Sequence, residues 1–384
     1  MRPTRRVLLA IGVLSLALIS GTLVTWHLQT RALGEALMAD IEALLARTIT
    51  REPKPSAPKH DNGYACVARV LEVTPKDLSP FTVRNTDVFH GLMDGGVLSD
   101  EVQEQMTRLE PWAESLRSCG DSAGLQFVPG ETPFAPWTDT RSTQGLLALQ
   151  RLTRLELRSL ATEGQWELSV ERCAATLEVA LDQSHLNLIG AMVAGSTVRQ
   201  LTPPCAEALE HLESAQRASR APRFAALPAR LAANHEFIET ERLMMSLETH
   251  RWLLSDEQQL RAPTSNNAFD LENPASRFVL ARSWRSWDRA LRRLGETADV
   301  PGAARLEASL RLDGVFDFPW LPAALSGAPS YEKFFLRNED TATLLQVLAT
   351  LAAGDSTWPA QVARTGDGLE FTDSKGEKLS IPLR

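Results

Sequence analysis

The chain of 384 residues is long enough for one large domain or two ordinary domains, each with a hydrophobic core. It carries 48 acidic and 40 basic residues, which gives a formal net charge of −8. Because proteins that bind nucleic acid usually present a basic surface, this acidic balance argues against a DNA or RNA partner.

An uncharged segment near the N-terminus predicts one transmembrane helix. Residues 7–26 contain no charge, and a helix of this length roughly spans the ~30 Å hydrocarbon core of a bilayer. Arg2, Arg5 and Arg6 precede it without an acidic residue, so the positive-inside rule predicts a cytoplasmic N-terminus and an exported remainder. A cleaved secretion signal is the alternative, but the small residues at 20–22 form a poor cleavage site. We therefore expect a single-pass protein of the bacterial inner membrane with a periplasmic body.

The residues after this segment divide into a stalk, a body and a tail. The helical pattern continues through Leu33, Leu37 and Ile41 to about Thr50, and the proline-rich sequence REPKPSAPKH follows it. Such a sequence is typical of an extended spacer, so the anchor is expected to tether a separate globular body. The expected organisation is a cytoplasmic tip and anchor at 1–26, a stalk and spacer at 27–60, a helical periplasmic domain at 61–354 and a tail at 355–384.

Four cysteines are widely spaced: Cys66, Cys119, Cys173 and Cys205. No C-x-x-C pair is present, which argues against a compact zinc site. An even number in an oxidising compartment predicts two disulfides, with three possible connectivities. Pairing of sequence neighbours, Cys66 with Cys119 and Cys173 with Cys205, is the simplest, and four buried thiols are the alternative.

Helical periodicity dominates residues 60–354 and predicts an all-α body built from helical hairpins. Residues 143–183 are expected to form one hairpin, broken at 163–166. Residues 186–198 contain no charge but are too short to cross a bilayer, so they are expected to form a buried central helix that ends at Pro203 and Pro204. Other helices are expected at 228–254, 276–295 and 341–353, and long irregular segments at 120–140, 255–274 and 313–330.

The tail changes from a helical period to a period of two. Leu369 and Phe371 alternate with polar residues, as do Leu379 and Ile381. The turn-forming sequence Asp-Ser-Lys-Gly lies between the two pairs at 373–376. This pattern predicts a small C-terminal β-hairpin.

The segment from Leu146 to Leu201 resembles the helical core of poorly characterised exported, membrane-anchored proteins of myxobacteria and planctomycetes. Those proteins pair two helices across an E-G-x-W turn, here at 163–166, with a small-residue helix of the LIGAMV type, here at 188–193. The resemblance implies export and a helical fold but brings no activity with it. The hairpin also looks like a single tetratricopeptide-type helix pair, although no 34-residue repeat surrounds it.

One pair of motifs suggests an enzyme. Glu114 and Ser115, followed by GLQFVP at 124–129, resemble the Glu-Ser and G-L-M-Q-x-x-P motifs of lytic transglycosylases, whose glutamate is the acid/base in glycan cleavage. The methionine is missing, the spacing is shorter and no matching tyrosine motif follows. A peptidoglycan-acting enzyme with Glu114 as acid/base is therefore the alternative to a non-catalytic function.

The sequence contains one weak metal-site candidate. His235 and Glu239 lie one helical turn apart, in a pattern that resembles H-E-x-x-H with its second histidine replaced. Such polar pairs are common on solvent-exposed helix faces. We therefore expect His235, Glu239, Arg242, Ser246 and His250 to form a solvated polar face.

Two groups of arginines suggest an anionic partner, although such groups more often form solvated faces. They are Arg151, Arg154 and Arg158, and Arg282, Arg285, Arg289, Arg292 and Arg293. No motif for a cofactor is present. The sequence therefore predicts a binding or scaffold protein of the cell envelope, with envelope proteins or peptidoglycan as partners.

Overall fold

The computed structural model of the protein describes residues 5–51, 57–75, 81, 99–128, 131, 141–254, 274–298 and 328–383. Most of the three segments expected to be irregular, including 132–140, 255–273 and 313–327, lies outside the described residues.

The described residues are mainly helical, with two small three-stranded sheets. This confirms the predicted all-α class with a C-terminal β-hairpin. The helices are α1 (Arg5–Ala46), α2 (Gly63–Glu72), α3 (Asp100–Ser118), α4 (Arg141–Thr162), α5 (Trp166–Gln183), α6 (Leu188–Glu210), α7 (Ser214–Ala225), α8 (Asn234–Leu254), α9 (Pro274–Thr297) and α10 (Ala328–Ala353). The strands are β1 (Thr48–Thr50), β2 (His60–Asn62), β3 (Ser122–Gln126), β4 (Val362–Thr365), β5 (Gly368–Thr372) and β6 (Lys378–Pro382).

The predicted hairpin is formed by α4 and α5, which meet at a turn that contains Gly164. This glycine has a φ of +70°, a left-handed conformation that side chains with a Cβ rarely adopt. One hydrophobic cluster joins α5, α6, α7 and α10 to the C-terminal sheet, and a second joins α2, α3 and α4. The hairpin therefore links the two main parts of the core.

The uncharged helix is the central element, as predicted, but it is longer than expected. It packs against α4, α5 and α10 and continues through Pro203 and Pro204 to Glu210. Each proline removes one backbone donor from the helix. Burial of Leu201, Cys205 and Leu209 on both sides of the prolines stabilises the helical path, which the local sequence alone disfavours.

Gly190 lies where α6 begins against the end of α5, and it leaves no space for a side chain. A Cβ at this position would lie 2.0 Å from the carbonyl oxygen of Gln183, which is backbone and moves only at a cost. We expect Gly190→Ala to lower the free energy of unfolding by about 2 kcal/mol, measured by chemical denaturation. Gly34→Ala is the matched control, since no atom lies within 4 Å of its Cβ position and alanine favours the helix. Equal stabilities of the two variants would contradict the close approach.

The expected stalk is part of the body and is not a separate tether. Leu33, Leu37, Ile41 and Leu44 are each at most 8% exposed, and the second half of α1 packs along α8. The helix ends at Ala46 because the β-branched residues 48–50 favour a strand. That strand pairs with β3 just before the proline-rich sequence, so the spacer does not separate the anchor from the body.

The first sheet was not predicted from the sequence. Its central strand is β3, which pairs antiparallel with β1 and parallel with β2 and lies in a segment expected to be irregular. Strands of three to five residues are too short to show a clear alternation. The C-terminal sheet is an antiparallel meander of β4, β5 and β6, one strand more than the expected hairpin.

The four cysteines form two buried disulfides. Cys66 of α2 is bonded to Cys119 at the end of α3, with a Cα–Cα distance of 5.5 Å. Cys173 of α5 is bonded to Cys205 of α6, with a Cα–Cα distance of 5.9 Å. These are the pairings of sequence neighbours that the sequence favoured, and they fit an oxidising compartment.

The first half of α1 has the length and composition of a membrane span. Its leucine, isoleucine and valine side chains from Leu9 to Leu28 are 53–70% exposed, and its most apolar 18-residue window has a mean hydropathy of 2.0. Exposure of so many apolar side chains along one helix is unfavourable in water. The burial of α1 begins at Leu33, so the same helix passes directly from the apolar segment into the body.

Candidate binding cleft

A large open cleft lies between α3, α5 and α7, with the end of β1 at its edge. Its volume is about 1610 Å³, which exceeds the ~300–1,000 Å³ typical of small-molecule pockets. Seven of its lining residues are cationic: Arg51, Lys59, Arg117, Arg172, Arg220, Arg223 and Arg230. The size and openness of the cleft suit an extended or macromolecular ligand.

One wall of the cleft contains a buried ionic cluster centred on Arg117. Its guanidinium donates to Glu114 at 2.5 Å, to the hydroxyl groups of Thr153 and Thr176 at 2.9 and 3.2 Å, and to the Glu156 carboxylate. Arg172 lies 3.5 Å from the second oxygen of Glu156. Burial raises the pKa of Glu156, while the two arginines act in the opposite direction.

The opposite side of the cleft carries a row of alternating charges. Asp182 contacts both Arg51 and Arg230. Arg223 donates two bonds of 2.9 Å to Glu178, which is 4% exposed, and a further bond of 2.5 Å to Glu171. Burial raises the pKa of Asp182, an effect that the two arginines beside it reduce. The row joins β1 and α5 to α7 and holds the guanidiniums in fixed positions.

The ionic pairs determine what the cleft can bind. Because the arginines of the cleft have acidic partners, the surface presents both signs of charge in alternation and is not a simple anion trap. Among the lining residues that the structure describes, none is aromatic and the largest exposed apolar side chain is Leu168, at 39%. Such a surface is suited to a ligand that also carries both charges, such as a polar segment of another protein.

Glu114 lines the cleft and is half exposed, at 52% of its side chain. Its carboxylate lies 2.5 Å from Arg117 and 3.8 Å from Arg172, so it is held as part of the ionic cluster. The second part of the enzyme-like motif lies elsewhere, because residues 124–126 belong to β3 and do not line the cleft, while Pro129 lies outside the described residues. The structure therefore brings Glu114 to a cleft without bringing the two motifs together there.

The residues of the weak metal candidate are used differently. His235 is exposed, and Glu239 accepts two bonds of 2.8 and 2.9 Å from Arg242. The expectation of a solvated polar face is wrong for its centre, since Arg242 is 3% and Ser246 is 0% exposed. The reason is that α1 and α9 cover this face, and Asp40 and Asp288 bind Arg242 at 3.0 and 2.9 Å.

One other group has the spacing of a metal site within the ranges described. The imidazole of His60 lies within 4.8 Å of the sulfur atoms of Cys66 and Cys119. Those sulfurs form a disulfide, which removes the thiolates that a metal would need. The His60 imidazole instead lies 3.1 Å from the Ser118 hydroxyl.

Sequence reasoning missed the charges that line the cleft. It selected the arginines at 151–158 and 282–293, whereas the cleft uses those on α3, α5 and α7. A signal was present, because Glu171 and Glu178 are seven residues apart and Arg220 and Arg223 are three apart, which places each pair on one helix face. The pairing of these faces joins residues 45 and 52 positions apart and cannot be read from either helix alone.

Comparison with protein-family models, with curated proteins and with solved structures found no match. The resemblance to exported proteins of myxobacteria and planctomycetes therefore stays a prediction. The cleft, the apolar helix and the disulfides are the features of this chain that bear on its function.

Proposed function

We propose that this chain is a membrane-anchored binding or scaffold protein of the bacterial cell envelope, with its body in the periplasm. The apolar half of α1 supports the anchor, and the two disulfides support an oxidising compartment. The three arginines before the apolar segment favour a cytoplasmic N-terminus. The cleft is the proposed binding surface.

The observation that carries this proposal is the fixed row of charges in an open cleft of about 1610 Å³. Ordered charges give specificity to an interface, because a partner that places like charges opposite them is strongly disfavoured. The arginines are already held by acidic partners, so binding costs little side-chain entropy. We propose that the partner is a polar, charged segment of another envelope protein.

Site-specific photocrosslinking tests this proposal. A photoreactive amino acid at Leu168, inside the cleft, is expected to give a discrete crosslinked product in intact cells. The same amino acid at Val73, which is 75% exposed and does not line the cleft, is the matched control. Arg220→Glu should remove the Leu168 product, because it reverses a charge at the rim where Arg220 is 34% exposed. Identical products at both positions, or a product insensitive to Arg220→Glu, would rule out the cleft as the binding surface.

One observation favours the catalytic alternative: Glu114 does lie in the wall of the cleft. If the protein cleaves glycan, the purified chain in detergent should release muropeptides from isolated peptidoglycan, and Glu114→Gln should abolish the release. We expect neither protein to release muropeptides, since two arginines engage the Glu114 carboxylate. Release that depends on Glu114 would replace the binding proposal with the enzymatic one.

A further inference from the structure

The contacts between α9 and α1 fix the direction in which α9 runs. Arg285 donates to the backbone carbonyl of Gln29 at 2.9 Å. Further along both helices, Arg292 lies 3.6 Å from Asp40, and Asp288 shares the Arg242 guanidinium with Asp40. Because later residues of α9 meet later residues of α1, the two helices run in the same direction. The N-terminal end of α9 therefore points toward the apolar half of α1.

The same contacts place the start of α9 relative to a membrane. Gln29 lies three residues beyond the uncharged segment, about 4–5 Å along the helix, within the polar headgroup layer of a bilayer that this segment crosses. Helix α9 begins eleven residues before Arg285, about 16 Å back along the helix, so its start would lie about 12 Å inside the hydrocarbon boundary if Arg285 is level with Gln29. If Asp288 is used as the reference instead, the start of α9 lies level with the hydrocarbon boundary. Both estimates bring the first turns of α9 to the outer leaflet.

The body holds α9 in this position through its other half. Trp284, Trp287, Leu291 and Leu294 are at most 3% exposed and follow helical spacing on one face. Helix α9 packs against α8 as well as α1. The first turns are thus carried toward the membrane by a helix that is fixed to the body.

The sequence of the first turns has the chemistry of a membrane interface. Residues 274–287 contain no acidic residue and include Arg277, Arg282 and Arg285. Phe278, Val279 and Leu280 are consecutive apolar residues between the first two of these arginines. Arginine beside apolar residues is typical of segments at the headgroup level, where the guanidinium binds lipid phosphate and the apolar groups enter the acyl region.

We infer that residues 274–283 are a second membrane contact, in which the start of α9 lies in the outer-leaflet interface and its arginines bind lipid phosphates. This inference rests on the proposed crossing of the membrane by α1. It assigns a lipid surface as the partner of a segment that the cleft does not involve. The body would then be held at two points, which fixes its orientation and the direction in which the cleft opens.

A depth measurement on the full chain in phospholipid nanodiscs tests this inference. All four native cysteines are in disulfides, so a cysteine introduced at Ser276 can be labelled alone with an environment-sensitive fluorophore. We expect spin-labelled lipid to quench the fluorescence of the label at position 276, and we expect aqueous iodide to quench it only weakly. Arg293→Cys, at the exposed far end of the same helix, is the matched control and should show the opposite pattern. Ser15→Cys in α1 reports whether the anchor itself is in lipid.

The outcomes separate this inference from the proposed anchor. Iodide quenching at 276 as strong as at 293, with Ser15→Cys in lipid, would overturn the second contact and leave the anchor. Protection at 276 from both quenchers would also overturn it, because the segment would then be covered by protein. Absence of lipid quenching at 15 would overturn the anchor and this inference together. Replacing Arg277 and Arg282 by glutamate should lower lipid quenching at 276 by about two-fold or more; unchanged quenching would overturn the arginine–phosphate contact.

Discussion

Replacing Arg117 by methionine is expected to lower the free energy of unfolding by about 3–5 kcal/mol. Arg117 is 3% exposed and binds Glu156, whose side chain is 4% exposed, together with two buried threonine hydroxyls. Without the guanidinium, the Glu156 carboxylate would keep only Arg172, at 3.5 Å. A buried charge with a single distant partner is costly, because the protein interior solvates it poorly.

Urea denaturation of the full chain in detergent measures this effect, and two further variants isolate its cause. The double variant Arg117→Met with Glu156→Leu should recover most of the loss, since it removes both charges and leaves apolar groups of similar size. Glu114→Gln should change the stability by less than about 1 kcal/mol, because Glu114 is half exposed and its ion pair is screened by water. The buried pair would not have the expected effect if the free energy of unfolding of Arg117→Met lay within about 1 kcal/mol of the native value. The same conclusion would follow if the double variant were no more stable than Arg117→Met.

Glu241→Gln is expected to stabilise the protein above pH 7 and to have little effect near pH 4.5. Glu241 lies on α8 and is buried, and its carboxylate accepts the backbone N–H of Leu188 at 3.0 Å. Burial raises the pKa of Glu241 to about 7, and the hydrogen bond from Leu188 lowers it by less. Among the described residues no cation forms an ion pair with it, so the carboxyl group is more stable in its neutral form.

The sign of the pH effect follows from the two states of the chain. In unfolded chain Glu241 loses its proton near its ordinary pKa of 4.5, and in folded protein it does so near 7. Folded protein therefore binds more protons between these values, and its stability falls as the pH rises through this window. Each unit of difference between the folded and unfolded pKa corresponds to about 1.4 kcal/mol, so the stability lost above pH 7 is about 3 kcal/mol. A glutamine can accept the same bond without ionising, so it avoids this loss.

Chemical denaturation of the native chain and of Glu241→Gln at pH 4.5, 6 and 8 provides the test. The quantity to compare across pH is the difference between their free energies of unfolding. Buried His185 has a pKa lowered to about 4, mainly by burial, so it destabilises the fold as the pH falls below 6.5 and acts in the opposite direction. Because both proteins contain His185, its contribution cancels in the difference. A difference that stays constant across this range would show that Glu241 ionises in the folded protein as it does in water.

The sequence predicted those features that depend on local pattern. The uncharged segment at 7–26, the hairpin with its break at 163–166 and the uncharged central helix all follow from periodicity and charge over neighbouring residues. The disulfide pairing followed the order of the cysteines in the sequence, since the bonded pairs are separated by 53 and 32 residues and each joins two helices that are consecutive among the described ones. The alternation in the tail predicted two of the three C-terminal strands.

Contacts between distant segments required the tertiary structure. The second half of α1 has the pattern of a stalk, and only its packing against α8 and α9 makes it part of the body. Pro203 and Pro204 disfavour a helix locally, yet α6 passes through both because burial on either side outweighs two lost hydrogen bonds. The cleft depends on Arg223 meeting Glu178 and on Arg51 meeting Asp182, 131 positions away. The strength of such pairs depends on burial and on the partner that folding brings close, whereas the sequence shows only that each residue carries a charge.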